Sequence, residues 1–367
     1  MKIKKKKVIV AMSGGVDSSV SAWFLKRKNY QVEGLFMKNW EEDDQKNYCN
    51  AAQDLFDAEN VCKKLNIYLH KINFSKEYWE EVFEKFLIEH KKGKTPNPDI
   101  LCNKEIKFKV FFEYAIKQLQ ADYIATGHYA RILKKNEKYY LFKGIDFNKD
   151  QSYFLYTLKR TQLKKILFPL GKFQKKQIRT IAKKIGLKNF EKKDSTGICF
   201  IGPKKINDFL HRYIQSEKGK IITNEGKIMG EHNGLFCYTL GQRKGLGIGG
   251  IKGKDNLPWY VIEKNIKNNT LIVDQGLYNK KLMSIGLIAT EVNWINRDEI
   301  NFPFFCNIKT RYRQIDIPCN VEFINIFFVK VLFNSPVIAV TPGQSVVFYL
   351  SQKCIGGGII KSKIPLL

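Results

Sequence analysis

"VIVAMSGGVDSSVSAWFLK", residues 8–26, sets two glycines and an aspartate between a short apolar run and an amphipathic stretch. The apolar run reads as a buried first strand, and residues 18–28 read as a helix. Gly14 and Gly15 let the main chain come close to a ligand, and the N–H groups where a loop enters a helix form a concave anion site. Ser13 and Ser18 add hydroxyl groups. An aspartate repels a bare phosphate, so Asp17 makes sense if a Mg²⁺ lies between carboxylate and polyphosphate. Asp17 or Ser18 reads equally as the cap of the helix that follows. No GK[ST] follows the glycines and the GxGxxG spacing is absent, which excludes a Walker loop and a dinucleotide fingerprint here.

Outward from the loop, strand-like runs fall at 8–12, 31–37, 67–72 and 122–127, with helical stretches at 18–28, 51–65, 77–91 and 103–120 between them. Strand, helix, strand repeated in this way predicts a doubly wound parallel sheet with helices on both faces, whose ligands bind beyond the carboxyl ends of the strands. The loop at 13–18, Met37 and the Gly127-His128 pair all sit at such ends. From about 205, INDFLHRYI leads into glycine-punctuated short strands, and from about 285 segments such as PCNVEFI, FFVKVLF and CIGGGII read as an antiparallel β-barrel. The expected division is 1–204, a catalytic nucleotide-binding domain; 205–282, a small central domain; and 283–367, the barrel.

The 367 residues carry 63 basic against 35 acidic side chains, a formal charge of +28, which points to a polyanionic partner. With 54 lysines to 9 arginines and abundant Ile, Asn, Phe and Tyr, an AT-rich genome is a second source of the same charge. No apolar run reaches the length of a membrane span, and MKIKKKKVIVAM is too short and runs into a glycine loop rather than a cleavage site, so a soluble cytoplasmic protein is expected. None of the eight cysteines forms a CxxC pair. Cys49, Cys62, Cys237, Cys306, Cys319 and Cys354 read as small buried hydrophobes.

SGGVDS after a hydrophobic strand resembles the pyrophosphate loop of the ATP pyrophosphatase superfamily, whose members activate a carbonyl oxygen with AMP from ATP. GLFMKNW (35–41), TPNPDILCNKEIKF (95–108), ATGHYA (125–130), KDQSYFLY (149–156), DSTGICFIG (194–202) and YTLGQRKGLGIGG (238–250) extend the likeness. Together they resemble the bacterial tRNA-specific 2-thiouridylase family, through TRYRQ and TPGQS nearly to the C-terminus.

That resemblance implies an adenine nucleotide alpha hydrolase-like fold and ATP-dependent exchange of the C2 oxygen of the wobble uridine, position 34, for sulfur. The oxygen is a poor leaving group until adenylylation turns it into AMP, and sulfur must then come from a thiol-derived nucleophile, which takes two cysteines that can meet. Cys102 and Cys199 each lie in a polar loop by sequence, Cys102 at the opening of a helix. By resemblance Cys199 carries a persulfide and Cys102 is its catalytic partner, the two ending in a transient disulfide. Ala11, Met12, Ser13, Gly14, Gly15, Val16, Asp17 and Ser18 would hold ATP, Asp17 with Mg²⁺, and Met37 and Gly127 would line the adenine and ribose side.

Asn97, Pro98 and Asp99 would contact a flipped-out target base, Asp99 also handling protons. Lys149, Asp150 and Gln151, with Arg311 and Tyr312, would contact tRNA, and His128 and Gln344 would add polar contacts. From sequence alone His128 reads equally as a satisfied strand-end histidine, and Arg311 and Tyr312 as a solvated strand face. The implied partners are the lysine, glutamate and glutamine tRNAs and a persulfide carrier protein or cysteine desulfurase, acting on a monomer.

Gly245, Gly247 and Gly250 satisfy GxGxxG, but glycines, a proline and charges follow where a nucleotide-binding helix would start, so they read as a flexible segment beside the RNA path. Two other readings stand: another adenylating enzyme of the superfamily, such as an ammonia-dependent synthetase, which would need a glutaminase domain or ammonia channel and no cysteine pair; and a non-catalytic RNA-binding module, which has no use for SGGVDS.

Overall fold

The strand Lys7–Met12 (β1) is apolar on both sides because both sides are covered. Ile9 and Ala11 join one buried cluster and Val8, Val10 and Met12 another. A parallel sheet sandwiched between helices accepts such a continuous run, and each fully buried Val or Ile contributes about 1.5–3 kcal/mol. β1 pairs in parallel with Gln31–Lys38 (β2), which pairs with Leu69–Asn73 (β3); on its other side lies Tyr123–Ala125 (β4), followed by the short strand Ile166–Leu167 (β7). The order β3-β2-β1-β4-β7 reverses direction between β1 and β4, which makes that gap the topological switch point. The computed structural model describes residues 5–41, 50–194, 206–249 and 257–366.

The helices Val16–Arg27, Asn50–Leu65 and Lys175–Lys184 cover one face, bringing Val16, Val20, Ala58, Val61, Ile178 and Ala182 to the sheet. Helical segments over 75–91 and 98–117 cover the other, with Phe83, Phe86, Ile106, Phe108 and Phe111. The helix expected over 103–120 starts earlier, at Pro98, because Asn97 accepts hydrogen bonds from the amides of Asp99 and Ile100 and Pro98 loses nothing in the first turn. Residues Cys102–Val110 of that run wind as a wider π-helix.

Two further sheets follow. Gly219–Thr223 (β8), Ile228–His232 (β9), Trp259–Asn265 (β10) and Thr270–Gln275 (β11) pair in the order β10-β11-β8-β9. Met283–Trp294 (β12), Phe304–Lys309 (β13), Ile317–Asn325 (β14), Phe328–Ile338 (β15), Ser345–Leu350 (β16) and Lys353–Pro365 (β17) run antiparallel, and β12 pairs with both β15 and β17, closing a six-stranded barrel. The alternating reading had not separated a hairpin from the first two hundred residues. Ala130–Lys135 (β5) and Lys138–Lys143 (β6) leave the parallel sheet and join the barrel, Lys353 pairing with Phe142 and Cys354 with Leu141. Among the described residues no helix is long and apolar enough to cross a membrane.

Candidate functional site

The first turn of the helix Val16–Arg27 has no side-chain cap. Ser18, one of the two residues that could have capped it, turns its hydroxyl back to donate to the Gly15 carbonyl at 3.1 Å and accepts from the Ser13 amide at 3.3 Å. The leading amides of the helix therefore face the loop at the switch point, where an anion completes them. Gly14 has φ +68°, and a Cβ there would stand 2.2 Å from the Asp54 carbonyl oxygen. Gly127, just beyond β4, lies so close that its Cβ would be 2.9 Å from the Asp17 Cβ. Met37, the last residue but one of β2, is half-buried, and Asn39, two residues on, has a buried Oδ1 with no hydrogen-bond partner among the described residues. That unanswered acceptor fits a ligand bearing an amino group, as adenine does.

Asp17 sits in a chain of charges. Its Oδ1 accepts from the Tyr129 hydroxyl and from Lys175 Nζ, both at 2.8 Å, and its Oδ2 accepts from Lys175 at 2.7 Å. Lys175 also reaches Asp194 Oδ1 at 2.7 Å. Asp194 takes Lys149 Nζ on Oδ2 at 2.5 Å and Arg179 Nη2 on Oδ1 at 3.1 Å. Burial pushes the Asp194 carboxyl up, but the hydrogen bonds from Lys149 and Lys175 outweigh it and bring its pKa to about 2. The Asp17 carboxylate retains acceptor capacity on Oδ2, so it fits a Mg²⁺ carried in with a polyphosphate.

Cys102 is 3% exposed and belongs to the core on the helical face that covers Ile9, Ala11 and Leu35. This corrects the expectation of a polar loop: the early helix start places it inside a helical run, at the first residue of the π-helical stretch. Cys199, its expected partner, lies outside the described residues, as does Cys49. Asn97 is occupied as the helix cap, Pro98 is buried, and burial raises the Asp99 pKa although Lys107 opposes it. Of the remaining cysteines, Cys62, Cys306, Cys319 and Cys354 are buried as expected, whereas Cys237 is half-buried with its Sγ 3.6 Å from His211 Nε2.

The residues expected to touch RNA are tied inward. Asp150 is buried, with its carboxylate accepting from the amides of Gly144 and Ser152 and from the Ser152 hydroxyl. Gln151 exchanges two hydrogen bonds with the Tyr129 main chain. Arg311 follows β13 in a turn, and its Nη2 donates to the carbonyls of Leu240 and Ala339 and to Thr341 Oγ1 at 2.7–3.1 Å. Tyr312 packs on Phe154 with ring centroids 4.4 Å apart, and Gln344 donates to the Thr95 carbonyl at 2.6 Å. His128 is buried between Phe108 and Phe168, with Nδ1 2.7 Å from Thr126 Oγ1; burial, with Lys107 adding, drives its pKa well below 6.5. Gly245 and Gly247 adopt positive φ beside Trp259 around a shallow cavity; Gly250 is outside the described residues.

Sequence reasoning missed Lys175, Asn189 and the part played by Asp194. Asn189 Nδ2 donates to the Gly14 carbonyl at 2.9 Å and to Ser19 Oγ at 3.0 Å, pinning the loop from the far side. Lys175 carried no usable signal, being one lysine among several in KFQKKQ.

The family profile described as "tRNA methyl transferase HUP domain" matches residues 6–203, "tRNA methyl transferase PRC-barrel domain" matches 207–275, and "Aminomethyltransferase beta-barrel domain" matches 284–360. The chain is 76% identical over 364 residues to tRNA-specific 2-thiouridylase MnmA of Buchnera aphidicola subsp. Schizaphis graminum, covering 99% of each. It is 59% identical to the protein of that name from Salmonella typhimurium, covering 98% of each. Among solved structures, a 4-thiouridine synthetase–RNA complex with bound ATP is 18% identical over 56% of this chain and 50% of that one, with a TM-score of 0.34.

Proposed function

The chain belongs to the tRNA-specific 2-thiouridylase family, and from that premise we propose the route by which this tRNA-uridine 2-sulfurtransferase works. ATP lies along residues 11–18 with its polyphosphate at the uncapped helix start and its adenine and ribose toward Met37 and Gly127. Asp17 would hold a Mg²⁺ carried in with the polyphosphate, and the ion would supply positive charge to offset that of the leaving pyrophosphate. The C2 oxygen of the wobble uridine attacks the α-phosphorus, so that oxygen leaves later as part of AMP. A base flipped toward Asn97, Pro98 and Asp99 presents that atom, and the raised pKa of Asp99 suits proton transfer there.

The terminal sulfur of a persulfide on Cys199 then attacks C2 and displaces AMP. The Cys102 thiolate attacks the Cys199 sulfur, the S–S bond to the base breaks, 2-thiouridine is released and a Cys102–Cys199 disulfide remains for a reductant to open. The tRNAs are those for lysine, glutamate and glutamine; the sulfur arrives from a persulfide carrier protein or cysteine desulfurase; and the protein acts as a cytoplasmic monomer. Lys149, part exposed, meets the tRNA, while Gln151, Arg311, Tyr312 and Gln344 support the RNA path through the positions they brace, and Arg311 and Gln344 join the separate sheets along it.

The observation that carries this reading is the glycine loop at 13–18: a helix start left uncapped at the switch point has a use in binding a polyphosphate and none in an RNA-binding module. The test is mass spectrometry of nucleosides from tRNA incubated with the protein, Mg²⁺, ATP and a labelled persulfide donor. Wild type forms 2-thiouridine. Cys199→Ser takes up no label, and Cys102→Ser holds label on the 194–202 peptide without releasing it to tRNA. Label on Cys102 in Cys199→Ser, with thiolated tRNA still made, reverses the roles and defeats the route.

A further inference from the structure

We propose that Lys175 is a positioning residue through which tRNA and ATP binding are coupled, by way of the ion chain Lys149–Asp194–Lys175–Asp17. The inference rests on the reading above, in which Lys149 meets RNA and Asp17 lies in the nucleotide loop. Lys175 is 9% exposed, and an ammonium group has three hydrogens to donate. All three have acceptors: Asp17 Oδ1, Asp17 Oδ2 and Asp194 Oδ1. The lysine thus spans the loop helix and the carboxylate at position 194, and it cannot draw closer to one without loosening its hold on the other.

Lys149 supplies the second position of the device. Its side chain is 29% exposed, and its Nζ closes on Asp194 Oδ2. An RNA phosphate competes with Asp194 for the Lys149 ammonium, so contact with RNA weakens the pairing with Asp194. Once Lys149 leaves, Asp194 retains Arg179 and Lys175 alone among these partners, and its charge draws harder on Lys175. Asp17 is then less neutralised, with Tyr129 Oη still bonded to it. A more anionic Asp17 favours a polyphosphate that arrives with a divalent cation. Bound tRNA therefore tightens Mg·ATP, and by linkage Mg·ATP tightens tRNA by the same factor. The element with two arrangements is Lys149, on Asp194 or on phosphate, which gives the coupling a physical carrier rather than mere adjacency.

The experiment measures Mg·ATP affinity by calorimetry on the full chain, alone and with saturating substrate tRNA. Wild type should show affinity about fivefold or more tighter with tRNA present, within the usual range of coupling. Lys175→Met should still bind both ligands with that ratio reduced to near one. Should Lys175→Met fail to fold, Lys149→Met, at a more exposed position, gives the same readout, since it removes the switching partner and holds Asp194 and Lys175 in one arrangement whether or not tRNA is bound. A merely structural role for Lys175 would lower affinities without changing their ratio. A wild-type ratio of one, or a wild-type ratio retained in either variant, overturns the inference. Failure to bind ATP or tRNA at all would instead strike the proposed function beneath it.

Discussion

His128 shows what a single residue type conceals. The sequence left it between a strand-end histidine and an RNA contact, and the structure buries it with one ring nitrogen on Thr126. Burial disfavours the imidazolium, so the folded chain keeps His128 neutral well below pH 6.5; His90 is likewise pushed to about 4 by burial, with Lys264 adding to the effect. The unfolded chain binds these protons near pH 6.5 while the folded chain does not, so stability falls as pH drops below that value. His128→Gln should make the fall shallower by about one proton, roughly 1.4 kcal/mol per pH unit. Chemical denaturation at pH 7.5, 6.0 and 5.0 measures it, and an unchanged slope would mean that the folded protein carries the charged ring. Asp17 was legible because an acid beside two glycines is chemically odd. Lys175 was not, because nothing local marks which lysine in a basic run turns inward.

At the scale of elements, apolar periodicity located β1, β2 and β14 to within a residue, since burial on one or both faces dictates their composition, whereas β15 and β17 run on to Ile338 and Pro365, past the apolar runs FFVKVLF and CIGGGII that marked them. The start of the helical run at Pro98 escaped because a cap followed by a proline resembles a turn until the next ten residues are weighed with it, and its π-helical winding has no sequence signal of its own. Gly14 is the element-level position where substitution decides most. Gly14→Ala adds a side chain at φ +68°, about 1–2 kcal/mol of backbone cost, and sets its Cβ against the Asp54 carbonyl, so the loop must move. Mg·ATP affinity should fall at least tenfold while the unfolding midpoint shifts by only a few degrees. ATP affinity equal to wild type would show that the loop conformation does not serve the nucleotide.

Across the whole molecule, fold class and the order of its parts were legible, but the joints between them were not, because a joint is made by residues distant in sequence. Thr95 is one such joint: its amide donates to Pro342, its carbonyl accepts from Gln344, and its hydroxyl lies 3.4 Å from that of Thr239, so the parallel-sheet domain, the central sheet and the barrel meet two residues before Asn97. Arg311 makes another, between Leu240 and the barrel turn at 339–341. Arg311→Ala leaves those acceptors short of a charged donor. It should cost about 2 kcal/mol or more, lower the unfolding midpoint by several degrees and weaken tRNA binding with little change in ATP affinity. An unchanged midpoint would remove Arg311 from the joint, and a salt dependence of tRNA binding shallower by about one unit would mark direct phosphate contact as well. The hairpin of β5 and β6 carries a consequence for manufacture and inheritance. Its outer neighbour is β17, so on the ribosome the hairpin emerges long before the strand that completes it and waits with an open edge that invites the wrong pairing. A gene exchange that replaced the barrel with a foreign one would therefore have to supply that missing edge in register, which makes the barrel a poor candidate for shuffling even though it is separate in sequence.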